Sequence, residues 1–113
     1  MSGYRIFALA ALALATFGAA PARSDDDTNF VLTIKGKQFD PAEIDVPAGK
    51  KLTLVVKNLN QAPSEFESAD LNREKVVVGG SDISVFLGPL RPGSYEFFDD
   101  FSAETPHGHI VAK

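Results

Sequence analysis

Glu65 and Glu67, in the stretch Ser64-Glu65-Phe66-Glu67-Ser68, and Asp99, Asp100 and His107 near the end of the chain have the types and spacing to hold a metal ion. Carboxylate oxygens with one imidazole suit hard or borderline cations: Fe(II), Fe(III), Mn(II), Zn(II), and Cu(II) at an oxygen and nitrogen site. The chain has no cysteine, and its one methionine is Met1. That composition removes thiolate chemistry and argues against Cu(I) handling. If the Ser64 stretch is a strand, Glu65 and Glu67 share a face and Phe66 points the other way. Asp99 and Asp100 then point in opposite directions at a strand end, so one of them shares a metal with the glutamates unless a bulge redirects the other. The plain alternative is that these acidic groups are solvated, as acidic groups at strand ends ordinarily are. Asp40, Glu74 and Glu104 are weaker candidates; Glu74, between Arg73 and Lys75, reads as a surface ion-pair residue worth little energetically. His109 is expected to face outward. A hydrolase is not supported: Ser64, Asp99 and His107 have the residue types of a triad, but no G-x-S-x-G elbow accompanies them.

The elements that must position these residues are strands. Phe30, Leu32 and Ile34 alternate with Val31, Thr33 and Lys35 up to Gly36, and Asp40-Pro41 turns the chain. Glu43 to Val46 is a short strand stopped by Pro47-Ala48-Gly49, and Lys51 to Lys57 is the most hydrophobic strand. Asn58 to Pro63 is a polar loop. Ser64 to Ser68, Lys75 to Val78, Asp82 to Leu87, Ser94 to Phe98 and His109 to Ala112 complete the set, separated by Gly79-Gly80 and by the long turn Gly88 to Gly93. One helical turn over Ala69 to Arg73 is the largest helical element expected. Seven to nine short strands with turn signals about every ten residues make an all-β sandwich. Tyr95, Phe97, Phe98 and Phe101 are expected in its core or shielding a metal from water.

Residues 1–22 read as a cleaved signal peptide. Arg5 precedes an apolar run from Ile6 to Phe17, and Ala20-Pro21-Ala22 ends in the small-x-small pattern of a cleavage site. The run is too short to span a bilayer. Residues 23–28, with Asp25-Asp26-Asp27, read as a flexible acidic N-terminus, and 29–113 as one domain. Cleavage removes one charged residue, leaving 10 basic against 15 acidic side chains. Such a balance excludes nucleic acid as a partner, since phosphate backbones demand a basic footprint. Without disulfides, stability must come from sheet burial, with help from a metal or a partner.

The order Phe39-Asp40-Pro41-Ala42-Glu43-Ile44-x-Val46-Pro47-Ala48-Gly49, Asn58, Pro63-Ser64-Glu65-Phe66-Glu67, Pro92-Gly93-x-Tyr95-x-Phe97 and Gly108-x-Ile110-Val111 resembles the bacterial cupredoxins. The resemblance implies a two-sheet Greek-key sandwich. It places the first histidine, the cysteine and the methionine of a copper site at Ser64, Asp99 and Pro106, so three expected ligands are missing and blue-copper electron transfer is not expected. Glu65-Phe66-Glu67, Arg73-Glu74-Lys75-Val76 and Gly88 to Gly93 further resemble the cupredoxin-like domain of periplasmic components of bacterial ferrous-iron uptake systems, of the EfeO and FtrB type. That resemblance implies a periplasmic protein that binds iron, copper or both through Glu65, Glu67, Asp99, Asp100 and His107. It would aid Fe(II) oxidation or hand the ion to an iron permease, beside a P19-type periplasmic iron and copper protein. Oxidation would need a second metal or a partner to take the electrons. The rival expectation is a metal-free interaction module whose acidic end docks onto a transporter or partner protein.

Overall fold

A computed structural model describes residues 27–113; the expected signal peptide and most of the acidic N-terminus lie outside them. The described residues form nine strands: β1 (Asn29–Lys35), β2 (Gln38–Asp40), β3 (Glu43–Val46), β4 (Leu52–Asn58), β5 (Ser64–Ser68), β6 (Arg73–Val77), β7 (Asp82–Leu87), β8 (Gly93–Asp99) and β9 (Gly108–Ala112). Period-2 alternation produces them. In β4 the pattern Leu52, Leu54, Val56 is buried while Thr53, Val55 and Lys57 are not, and β9 buries Gly108, Ile110 and Ala112 in the same way. The short β2 is the element that the apolar pattern did not announce. With three residues it has one core side chain, Phe39, and it exists because Gly36, at φ +60°, turns the chain back onto β1. Ala69 to Asn72 is a turn and not a helix.

The strands form two mixed sheets, β2-β1-β4-β7 and β3-β9-β8-β5-β6. β1 runs parallel to β4 and β3 parallel to β9, while the other pairs are antiparallel. Leu32, Ile34, Leu54, Val56 and Val85 from the first sheet are buried in one core with Ile44, Phe66, Val77, Phe97 and Ile110 from the second. Phe97 joins the aromatic contacts, edge-on to Phe39 at 4.9 Å and tilted against Phe66 at 5.3 Å. All-β architecture with two packed sheets is as the strand count required.

One end of the sandwich is closed by polar side chains that satisfy backbone. Asn58, 1% exposed, donates from Nδ2 to the carbonyls of Ala62 and Val77 and accepts the Asn60 N–H. Asn60 in turn exchanges two hydrogen bonds with the backbone of Gly36. A β-carbon on Gly79 would stand 2.0 Å from the Gln61 carbonyl oxygen, so the loop after β4 lies directly on the β6–β7 turn. Gly79→Ala is expected to displace that loop and lower the melting temperature; an unchanged melting curve would contradict this packing.

Candidate metal centre

The outer face of the five-stranded sheet carries the candidate ligands. On β5, Ser64, Phe66 and Ser68 are buried, which leaves Glu65 and Glu67 on the outside, half-buried. β6 places Glu74 directly across from Glu67 and Val76 across from Glu65. β8 places Phe98 across from Glu67 on the other side. Where β8 ends, Asp100 follows with its side chain exposed, and its N–H bonds the Glu65 carbonyl at 3.0 Å. Carboxylate oxygens of Glu65, Glu67 and Asp100 lie within 4.8 Å of one another. That separation is within reach of one oxygen-coordinated cation with modest side-chain rotation.

Crowding raises the proton affinity of these groups. Glu65 is pushed from an ordinary 4.5 up to about 6, first by loss of solvation and then by Glu74, by a side-chain hydrogen bond to Asp100 and by the charges of Asp100 and Glu67. Glu67 is raised too, by loss of solvation and by Asp100 and Glu74, with its hydrogen bond to Glu65 acting in the opposite sense. Glu74 thus belongs electrostatically to the acidic group. The sequence makes it only a weaker candidate, because the pairing of β5 with β6 is not readable from neighbours in sequence. Its neighbour Arg73 turns its guanidinium to the carbonyls of Phe86, Leu71 and Asn72.

A raised carboxylate pKa has a defined sign. The folded state holds the Glu65 proton more tightly than the unfolded chain, so the associated stability is complete below about pH 4.5 and is lost as pH rises through about 6. Glu65→Gln is therefore expected to raise the melting temperature at pH 7.5 and to change it little at pH 4. A substitution that destabilises equally at both pH values would contradict the crowding. A divalent cation that neutralises the group should act in the same direction as the substitution, at neutral pH only.

Asp99 and His107 take other positions. Asp99 is 4% exposed and faces inward. Its Oδ1 accepts the N–H groups of Glu65 and Phe101, both at 2.9 Å, so it ties the start of β5 to the turn that carries Asp100. It positions the carboxylates without standing among them, since adjacent residues on an extended strand point to opposite faces. Asp99→Ala leaves two amides without their acceptor and is expected to cost about 2–4 kcal/mol in denaturant unfolding. Asp99→Asn, which keeps one acceptor oxygen, should lose less. His107 lies on the far side of Phe98, stacked on its ring at 5.1 Å and 28°, with Nδ1 3.1 Å from Glu96 Oε2. Glu96 was not among the expected residues. Its signal was the alternation Glu96, Phe98 along β8, but its meeting with His107 depends on how β8 and β9 pair across an eight-residue connection. Of the weaker candidates, Glu104 pairs with Lys37, whose hydrogen bond and charge hold the Glu104 carboxyl below its usual range. Both ends of that pair are exposed, so it adds little stability.

The family is decided by the whole chain. Residues 8–112 match the model of the cupredoxin-like domain. The chain belongs to the cupredoxin-like domain family. An uncharacterized protein of Rickettsia prowazekii is 40% identical over 88 residues, which is 78% of this chain and 70% of that one. Among solved structures, dithionite-reduced auracyanin from the photosynthetic bacterium Roseiflexus castenholzii superposes with TM-score 0.66 at 16% identity, covering 77% of this chain and 98% of auracyanin. The metal-binding domain of the Cu(I)-exporting P-type ATPase CopA of Streptococcus pneumoniae, solved with Cu(I), gives TM-score 0.66 at 13% identity, covering 80% and 91%. At such identities these likenesses establish the cupredoxin fold and no more.

A thiolate-bound copper does not fit the ligand positions that the resemblance assigns. Ser64 is buried at 3% exposure, and Asp99 is committed to two backbone amides. Neither supplies sulfur. The carboxylates that converge do so on the neighbouring outer face of the sheet.

Proposed function

We propose that this is an exported, periplasmic cupredoxin-fold protein that captures a divalent cation, Fe(II) foremost, at Glu65, Glu67 and Asp100 and passes it on in ferrous-iron acquisition. The observation that carries this reading is the convergence of three carboxylates, two from β5 and one from the turn after β8, on one outer face. Oxygen donors of net charge −3 favour hard or borderline cations over Cu(I), and Glu74 beside them adds to the attracting potential. The half-buried, open position suits a carried ion that must be released to a partner, here an iron permease or a P19-type periplasmic protein.

Anaerobic titration of purified protein with Fe(II) at pH 7 is expected to show one equivalent bound at the carboxylates, with Mn(II) competing. Affinity should fall as pH drops below about 6, where Glu65 takes up its proton. Loss of the gene should slow growth under iron limitation, with recovery on added iron. A protein that binds neither Fe(II) nor Mn(II) at neutral pH would sink this reading and leave the metal-free interaction module.

A further inference from the structure

We propose that Glu96, His107 and His109 form a second cation site on the same outer face, built from two imidazoles and one carboxylate and suited to a borderline divalent ion, Cu(II) or Zn(II). Glu96 and His109 are direct cross-strand partners of β8 and β9, and His107 precedes His109 by two residues, the spacing that returns a side chain to the same face of a strand. Glu96 Oε2 lies 3.1 Å from His107 Nδ1 and 3.9 Å from His109 Nε2, and all three side chains are about half exposed. One carboxylate oxygen thus already faces a nitrogen of each ring, and the group is open to an ion from solvent.

The backbone beneath these side chains is firmly held. The His109 N–H donates to the Ala42 carbonyl at 2.8 Å. The Glu96 N–H donates to Asp70 Oδ2 at 2.9 Å, and the Glu96 carbonyl accepts the Ser68 hydroxyl at 2.6 Å. Between the two histidines, a β-carbon on Gly108 would stand 2.4 Å from Phe97 Cζ and 2.8 Å from the Ala42 carbonyl oxygen. The strand is therefore pressed against the buried Phe97 ring at that point, and the two imidazoles rise from either side of it. The Phe98 ring supports His107 by stacking. On the other flank of His109, Glu43 is its cross-strand partner on β3 and is exposed, which adds negative charge beside the rings.

Two nitrogens and one carboxylate oxygen around a common ion, each about 2.0–2.2 Å from it, make the three-ligand set that holds Zn(II) with a fourth position open to water. Nitrogen donors also place Cu(II) above Zn(II) in affinity. Bringing both imidazoles onto such an ion requires rotation of their side chains. This site shares no ligand with the carboxylate centre, from which the Phe98 ring separates it, and it stands whether or not that centre takes iron.

The test uses the triple variant E65Q/E67Q/D100N, which removes the carboxylate centre. Cu(II) titrated into it at pH 7 is expected to bind at one equivalent, with an electron paramagnetic resonance spectrum split by two imidazole nitrogens. H107A or H109A in that background should weaken Cu(II) by at least about tenfold and reduce the coupled nitrogens to one. In the unsubstituted protein, Zn(II) should shift the imidazole nitrogen resonances of both histidines in NMR spectra. The substituted side chains are all at the surface, and circular dichroism would verify the fold. A spectrum without imidazole splitting, or an affinity indifferent to both histidine substitutions, would overturn the proposal.

Discussion

With Glu65, Glu67 and Asp100 all replaced by their amides, the protein is expected to lose Fe(II) binding at neutral pH by at least a thousandfold, on the order of tenfold for each charged ligand removed. The substitutions are nearly isosteric and keep a carbonyl oxygen at each position, so what they remove is charge. For a hard cation the anionic charge of the oxygens is the main source of affinity, and here three such groups lie within 4.8 Å of one another. The same triple variant is expected to be more stable than the unsubstituted protein at pH 7 in the absence of metal, because the loss of solvation and the repulsion that raise Glu65 and Glu67 no longer act on charged groups. The opposite signs matter: lost binding with raised stability cannot come from unfolding. Asp99→Asn is the contrasting case, with stability lowered and Fe(II) binding weakened far less. Fe(II) affinity within threefold of the unsubstituted protein in the triple variant would show that the carboxylates are only a solvated acidic face.

Phe97→Ala is expected to bring the largest loss of stability of any single substitution in this domain, about 3–5 kcal/mol. Phe97 is fully buried and lies at the junction of the two sheets, in ring contact with both Phe39 and Phe66. The total stability of a domain of this size is roughly 4–13 kcal/mol, so about a quarter or more of it depends on this ring. A fall in melting temperature of more than about 12 °C should follow. Gly108→Ala tests the same point from the other side, since the added methyl would have to displace either the Phe97 ring or the Ala42 carbonyl. Either change would also disturb the outer face, because Glu96 and Phe98 flank Phe97 on β8, while His107 just before β9 and His109 on it flank Gly108. A Phe97→Ala protein that melts within a few degrees of the original would show a core able to close around the lost ring.

The residues of the carboxylate centre were legible to different degrees. Glu65 and Glu67 could be placed together because strand alternation is a local rule, and the burial of Ser64, Phe66 and Ser68 follows it. Asp100 and Asp99 were both candidates, and alternation said only that they diverge. Which one joins the glutamates depends on which face of β8 is turned inward, and that is fixed by Phe97 packing into the core. His107 is set by contacts across strands. It meets Glu96 and Phe98, residues 11 and 9 positions away in sequence, because the connection between β8 and β9 brings it back alongside β8.

By itself the sequence determined the all-β class, most of the strands, the absence of thiolate ligands and the pool of carboxylates and histidines from which a metal site can be drawn. These follow from composition and from the period-2 rule, which act between near neighbours. Only the tertiary structure decided the grouping within that pool: Asp99 inward as the brace of two amides, Asp100 outward with Glu65 and Glu67, Glu74 beside them, and His107 with Glu96 and His109 beyond the Phe98 ring. Strand register across non-adjacent segments makes those pairings, and register is set by how the side chains of both sheets fill one core.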